Sequence, residues 1–210
     1  MKRIIFTFIA VILCLPIVAN GQEGGALVGG IGLGLNSPMG DFSDPIGLSG
    51  GTGVGVEAEL RYYLWGGFGI GGFANYSRFS SSYQLPQGRL SYNFNQLGGL
   101  VKMNFIRMSK GRIYLSGGGG VFTPSAHYYV PDASYDIVGE ESGIFYFGGV
   151  GLISETYKRT LYELEFRYNM GTADFDIPDI SENTFENWNF FYVGLKLSFA
   201  TKGKSAPPRF

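Results

Sequence analysis

Leu161-Tyr162-Glu163-Leu164-Glu165-Phe166-Arg167-Tyr168-Asn169-Met170 decides the fold. In an extended chain, successive side chains point to opposite sides. Tyr162, Leu164, Phe166, Tyr168 and Met170 therefore share one face, while Glu163, Glu165, Arg167 and Asn169 share the other. A helix of 3.6 residues per turn would scatter both sets around its circumference, so the alternation predicts a strand.

The same period recurs on either side of this segment. Val54, Val56, Ala58, Leu60, Tyr62 and Leu64 oppose Glu57, Glu59, Arg61 and Tyr63. Leu97, Gly99, Val101, Met103 and Phe105 oppose Gly98, Leu100, Lys102 and Asn104. Phe191, Val193, Leu195, Leu197 and Phe199 oppose Tyr192, Gly194, Lys196 and Ser198. Four further stretches, 26–35, 68–78, 112–123 and 143–154, carry a weaker alternation blurred by glycine, which suits tight packing and bends in strands. The total is eight strands. Their connections alternate in length: short near 65–67, 106–111 and 155–160, long near 36–50, 79–91, 124–142 and 171–187. An antiparallel up-and-down barrel with all long connections at one end produces that order.

Composition narrows the class. The 210 residues are 45% apolar, 16% aromatic and 16% charged, with 34 glycines. A soluble domain carries about 25% charge. Eighteen Phe, 14 Tyr and 2 Trp are too much apolar surface for a disordered chain. Nine prolines and no period of three exclude collagen, and one cysteine excludes a disulfide scaffold. Sixteen basic against 17 acidic residues leave no electrostatic footprint for nucleic acid.

The direction of the faces follows from the charge. A soluble barrel would bury the apolar face and expose the charged one. This chain has too little charge to cover an exterior, and its mid-strand charges, Glu57, Glu59, Arg61, Lys102, Glu163, Glu165, Arg167 and Lys196, are of both signs. They suit a closed interior where each finds a partner, with the apolar face toward lipid. Aromatics near strand ends (Tyr62, Tyr63, Trp65 and Phe68; Trp188, Phe190, Phe191 and Tyr192) suit girdles at the two interfaces. A closed sheet also pairs every backbone group, which hydrocarbon demands.

The N-terminus has the form of an export signal. Lys2 and Arg3 precede an apolar run from Ile4 to Val18, followed by the small residues Ala19-Asn20-Gly21. The expected organisation is a signal peptide over 1–21, a transmembrane β-barrel over 22–199 and a periplasmic tail over 200–210. Cys14 would leave with the signal.

With these features the chain resembles the eight-stranded outer-membrane barrels of Gram-negative bacteria, of the OmpA transmembrane-domain and OmpX type, and most of all the porin-like outer-membrane barrels common in Bacteroidota. Tyr192-Val193-Gly194-Leu195-Lys196-Leu197-Ser198-Phe199 is similar to that family's C-terminal assembly signal, with alternating apolar residues, a glycine and a final aromatic. Tyr192, Gly194, Leu195, Leu197 and Phe199 carry the likeness. The family usually ends at that aromatic, whereas here Ala200 to Phe210 follow, and Pro207-Pro208 keeps the tail out of a ladder. The resemblance implies an outer-membrane location, long loops facing outward, and contact with lipopolysaccharide and the barrel-assembly machinery. It does not fix an activity, because the family includes scaffolds, adhesins, small transporters and lipid-A enzymes.

An eight-stranded lumen is filled by side chains. The primary expectation is therefore a structural scaffold, in which Glu163, Glu165 and Arg167 pair with Lys196 while Glu57, Glu59 and Arg61 form a second cluster. Gly30, Gly32, Gly118 and Gly120 are expected to face inward with them. A narrow or gated pore is the alternative. The long loops are acidic and have structural readings, as a solvated face, a bridge to lipopolysaccharide phosphates or a packed cap, beside surface binding to an extracellular or envelope protein. Asp174, Asp176 and Asp179 are closely spaced but lack the glycine turn and terminal glutamate of an EF-hand. Phe175, Ile177, Ile180 and Phe185 lie among those acids. A lipid-A-modifying enzyme is the remote alternative. His127, near Ser125, is the only histidine, and it is followed by Tyr128 and Tyr129 rather than by a serine two positions on. No phosphate-binding glycine loop and no Cys/His metal spacing occurs, so neither enzyme activity, cofactor nor metal is expected.

Overall fold

The computed structural model describes residues 25–43, 50–65, 67–85, 88–109, 111–130, 133–135, 142–155, 160–173 and 187–201. The expected signal peptide, the acidic triad Asp174, Asp176 and Asp179, and the tail beyond Thr201 lie outside them.

Nine strands follow in order: β1 (Ala26–Met39), β2 (Gly50–Trp65), β3 (Phe68–Leu85), β4 (Gly88–Met108), β5 (Gly111–Val130), β6 (Ala133–Tyr135), β7 (Gly143–Glu155), β8 (Thr160–Thr172) and β9 (Asn189–Ala200). Eight of them close a ring. Each pairs antiparallel with the next, and β9 returns to β1 with Gly32 opposite Lys196 and Leu35 opposite Val193. The short β6 folds back onto the end of β5, with Tyr128 opposite Tyr135. The eight ring strands, the shortest of 12 residues, are long enough to cross hydrocarbon, which takes about 9–11 tilted residues.

The strands outrun the alternation that reveals them. The stretch 79–91 is expected to be a long connection, yet β3 and β4 stay paired out to Leu85 opposite Gly88. Much of 124–142 is likewise β5 and β6, and 36–39 belongs to β1. On β4 the outward residues change from Val101 and Leu97 to Asn95, Asn93 and Ser91, while the ladder continues. The period of two with apolar residues marks the depth of the greasy face; backbone pairing does not need it. At the opposite end, a register shift between Asn104 and Ile106 turns both Phe105 and Ile106 outward. Such a bulge ends the alternation in the sequence at Phe105.

The faces lie as the charge argument requires. Ile31, Leu33, Leu35, Val54, Val56, Leu60, Leu97, Val121 and Leu195 are each more than half exposed, and together they belt the barrel. A belt of this size is far beyond the apolar patch a soluble monomer exposes. Among the described residues no helix is long and apolar enough to cross a membrane.

Candidate functional site

Parity along the strands sends one side chain in two into the lumen, and the interior sorts into two halves. The half toward the short turns is charged, and the half toward the long connections is aromatic.

All eight mid-strand charges point inward, and none is more than 6% exposed. Four carboxylates meet four cations, so the cluster is formally neutral. The Arg167 guanidinium donates to Glu57 at 2.7 and 3.1 Å and to Glu165 at 3.1 Å. Lys102 Nζ donates to Glu59 at 2.9 Å and to Glu163 at 3.0 Å. Lys196 Nζ reaches Glu59 at 2.9 Å and Glu165 at 2.5 Å, and also meets Glu57. Arg61 donates to Glu59 and to both oxygens of Glu163. Ser198 Oγ donates to Glu163 at 2.8 Å and Ser116 Oγ to Glu165 at 2.7 Å, which occupies lone pairs the cations leave.

The sequence suggests two clusters, and the structure has one. Arg61 on β2 reaches Glu163 on β8, Arg167 on β8 reaches Glu57 on β2, and Lys102 on β4 reaches both β2 and β8. These strands are not neighbours in the ring. The pairs cross because an eight-stranded lumen is narrower than two extended long side chains. The oxygens of Glu57, Glu59 and Glu165 lie within 4.8 Å of one another, a grouping that could take a metal ion. Here the ammonium of Lys196 lies among them.

The closing seam accommodates this lysine through glycine. The expected inward glycines Gly30, Gly32, Gly118 and Gly120 share the inward parity of their strands, and Gly32 faces Lys196 across the β1–β9 pair. A Cβ at Gly32 would come within 2.6 Å of Lys196 Cγ, so only glycine lets the side chain lean across β1.

Above the charges the rings begin. Arg167 lies under Phe147 (4.3 Å from its centroid), Tyr192 (5.2 Å) and Phe73 (5.3 Å). Cation–π contact of this kind is strongest where water is excluded. Phe73, Phe145 and Phe147 pack mutually, and beyond them Phe79, Tyr92, Phe94, Phe122, Trp188 and Phe190 fill the lumen. Trp188, Phe190 and Tyr192 were candidates for an outer girdle. They are 1%, 3% and 1% exposed and belong to the interior, as does Tyr63. The wide outer ends of a barrel need bulk, and parity puts these rings on the lumen side. Tyr62, Phe105, Tyr162, Phe191 and Phe199 do face outward.

Of the residues resembling an assembly signal, Tyr192 and Gly194 face the lumen, while Leu195 and Phe199 face outward. Ser125 Oγ and His127 Nε2 are 3.4 Å apart on β5, at the outer limit of a hydrogen bond. Phe42, Phe73, Phe79, Phe94 and Ser116 are missed by sequence reading. Phe73 and Ser116 follow the inward parity of strands whose glycines hide the pattern.

No family model and no curated protein matches the sequence. Among solved structures, Neisserial surface protein A is similar with a TM-score of 0.55 and 13% identity, over 85% of this chain and 99% of that one. Ail, the attachment invasion locus protein of Yersinia pestis, gives a TM-score of 0.52 and 11% identity, over 86% of this chain and all of Ail. A second Ail structure, in complex with the heparin analogue sucrose octasulfate, is equally similar. The chain has the fold of these eight-stranded outer-membrane barrels.

Proposed function

We propose that this barrel is a non-conducting scaffold of the bacterial outer membrane whose long connections carry its recognition. The observation that supports a scaffold is the neutral network of four carboxylates and four cations crossing the lumen beneath a block of rings. A pore needs a continuous wet path. Here each interior charge is bonded to at least one of opposite sign, and withdrawing any one strands its partners. The apolar belt and the similarity to outer-membrane barrels support the location, with lipid and lipopolysaccharide as surroundings and the barrel-assembly machinery as the route in.

The long connections hold Asp132, Asp136, Glu140, Glu141, Asp174, Asp176, Asp179, Glu182 and Glu186. A surface of this sign favours basic or apolar protein partners. It disfavours a polyanion such as the heparin analogue in the Ail complex, because like charges repel unless screened.

Planar-bilayer recording of the purified protein tests the scaffold reading. The expected trace has no sustained conductance steps. A steady, ion-selective current would establish the pore instead.

A further inference from the structure

Among the described residues, Phe42 and Trp188 bring rings to the aromatic half from outside the barrel strands. Phe42 lies on a four-residue 3-10 turn, Gly40–Ser43, that follows β1. Its side chain is fully buried, in a cage made by Phe79, Tyr92, Phe94 and Trp188. The ring centroids stand 5.2, 5.6, 5.4 and 5.1 Å away, with two contacts edge-on and two tilted. These are the separations aromatic pairs prefer.

The turn that delivers Phe42 depends on Gly40, whose φ is +59°. A Cβ there would meet nothing closer than 3.6 Å, so glycine serves the left-handed backbone and not the space. The four cage residues belong to β3, β4 and the segment entering β9, all tied into the ring or its last bridge. Phe42 takes part in no ladder, so its ring can leave without breaking a rung between barrel strands.

We propose that the cage is a binding chamber for a small, flat, neutral ring compound, and that Phe42 is a tethered occupant which such a compound displaces. The occupant present defines the chemistry. It is a benzyl group, uncharged, met on several sides by ring faces and edges. Phe190 and Phe122 adjoin the cage, and Phe122 in turn packs on Phe145 of the layer that covers the charges, so a compound entering from the long connections would be held and not passed on. This holds whether or not the lumen conducts when empty.

The test uses the full-length protein refolded in micelles, with fluorobenzene as probe, in two arms. In the first, 19F NMR follows the probe against wild type and Phe42→Ala, with Phe42→Leu if the alanine variant does not fold. Saturable binding should appear in the variant, at least tenfold tighter than in wild type. In the second, hydrogen exchange is followed at residues 40–43 of the wild type, which needs no substitution. Exchange there should rise with added probe while β2 and β8 stay protected. Partitioning no different from empty micelles in the folded variant, equal affinity in wild type and variant, or unchanged exchange at saturating probe would each overturn the proposal. Binding of tetramethylammonium in preference to fluorobenzene would overturn the neutral-ring chemistry, since aromatic cages also hold cations.

Discussion

Arg167→Met removes one cation from the lumen and keeps an apolar stem of similar length. The structure sets the scale of the loss. Three charge-assisted hydrogen bonds disappear, two to Glu57 and one to Glu165, at 2.7–3.1 Å. Each such bond contributes about 1.5–3 kcal/mol, but the three share one guanidinium and do not add. The larger effect is what stays behind. Four carboxylates then face three cations in a site that excludes water, and breaking a buried pair this way costs about 3–5 kcal/mol. Methionine retains some contact with Phe147 and Phe73, which offsets little of this. The expected destabilisation is about 4 kcal/mol, close to a thousandfold in the folding equilibrium.

Adding Glu57→Gln restores charge balance. Lys196 keeps Glu59 and Glu165, and the glutamine is neutral. The double variant should lie within about 2 kcal/mol of wild type, leaving a favourable coupling of at least about 2 kcal/mol, larger by whatever Glu57→Gln costs alone. Urea titration in lipid vesicles, read by the mobility of the folded band on unheated gels, measures all three variants. An Arg167→Met variant within about 1 kcal/mol of wild type, or a double variant as costly as the sum of the singles, would refute the idea that these charges act as one balanced unit.

Other expectations follow from the seam and the belt. Gly32→Leu should leave the barrel unable to close, because its side chain claims the space of Lys196 Cγ, whereas Gly148→Ala, with nothing within 4 Å, should fold as wild type; the folded gel band reports both. On the lipid face, Leu33→Arg should destabilise by about 2–4 kcal/mol and Met108→Arg, at the end of β4, by no more than about 1, since the cost of a charge falls toward the interface. Equal costs at the two positions in vesicle unfolding would contradict the placement of the belt.

Strand period, face and sign of the interior are local properties, and they are legible without coordinates. Glu163, Glu165 and Arg167 alternate with Leu164 and Phe166 whatever the rest of the chain does, and a chain this poor in charge has only one sensible way to turn that alternation. Proximity is another matter. That Arg61 meets Glu163 depends on ring closure, on how far β2 and β8 are offset, and on a lumen narrow enough for side chains to cross it. Nothing within ten residues of either encodes the distance. The same holds for Phe42, which sits in no alternating segment and becomes part of the interior only because Gly40 turns the chain back over the open end. Sequence by itself determined which residues share a face on the clearly alternating strands, because parity is set by neighbours one and two positions away, and the chain's low charge set which face turns inward; the tertiary structure alone decided which charges and rings share a space, because closing a sheet into a cylinder brings together residues the chain keeps more than a hundred positions apart.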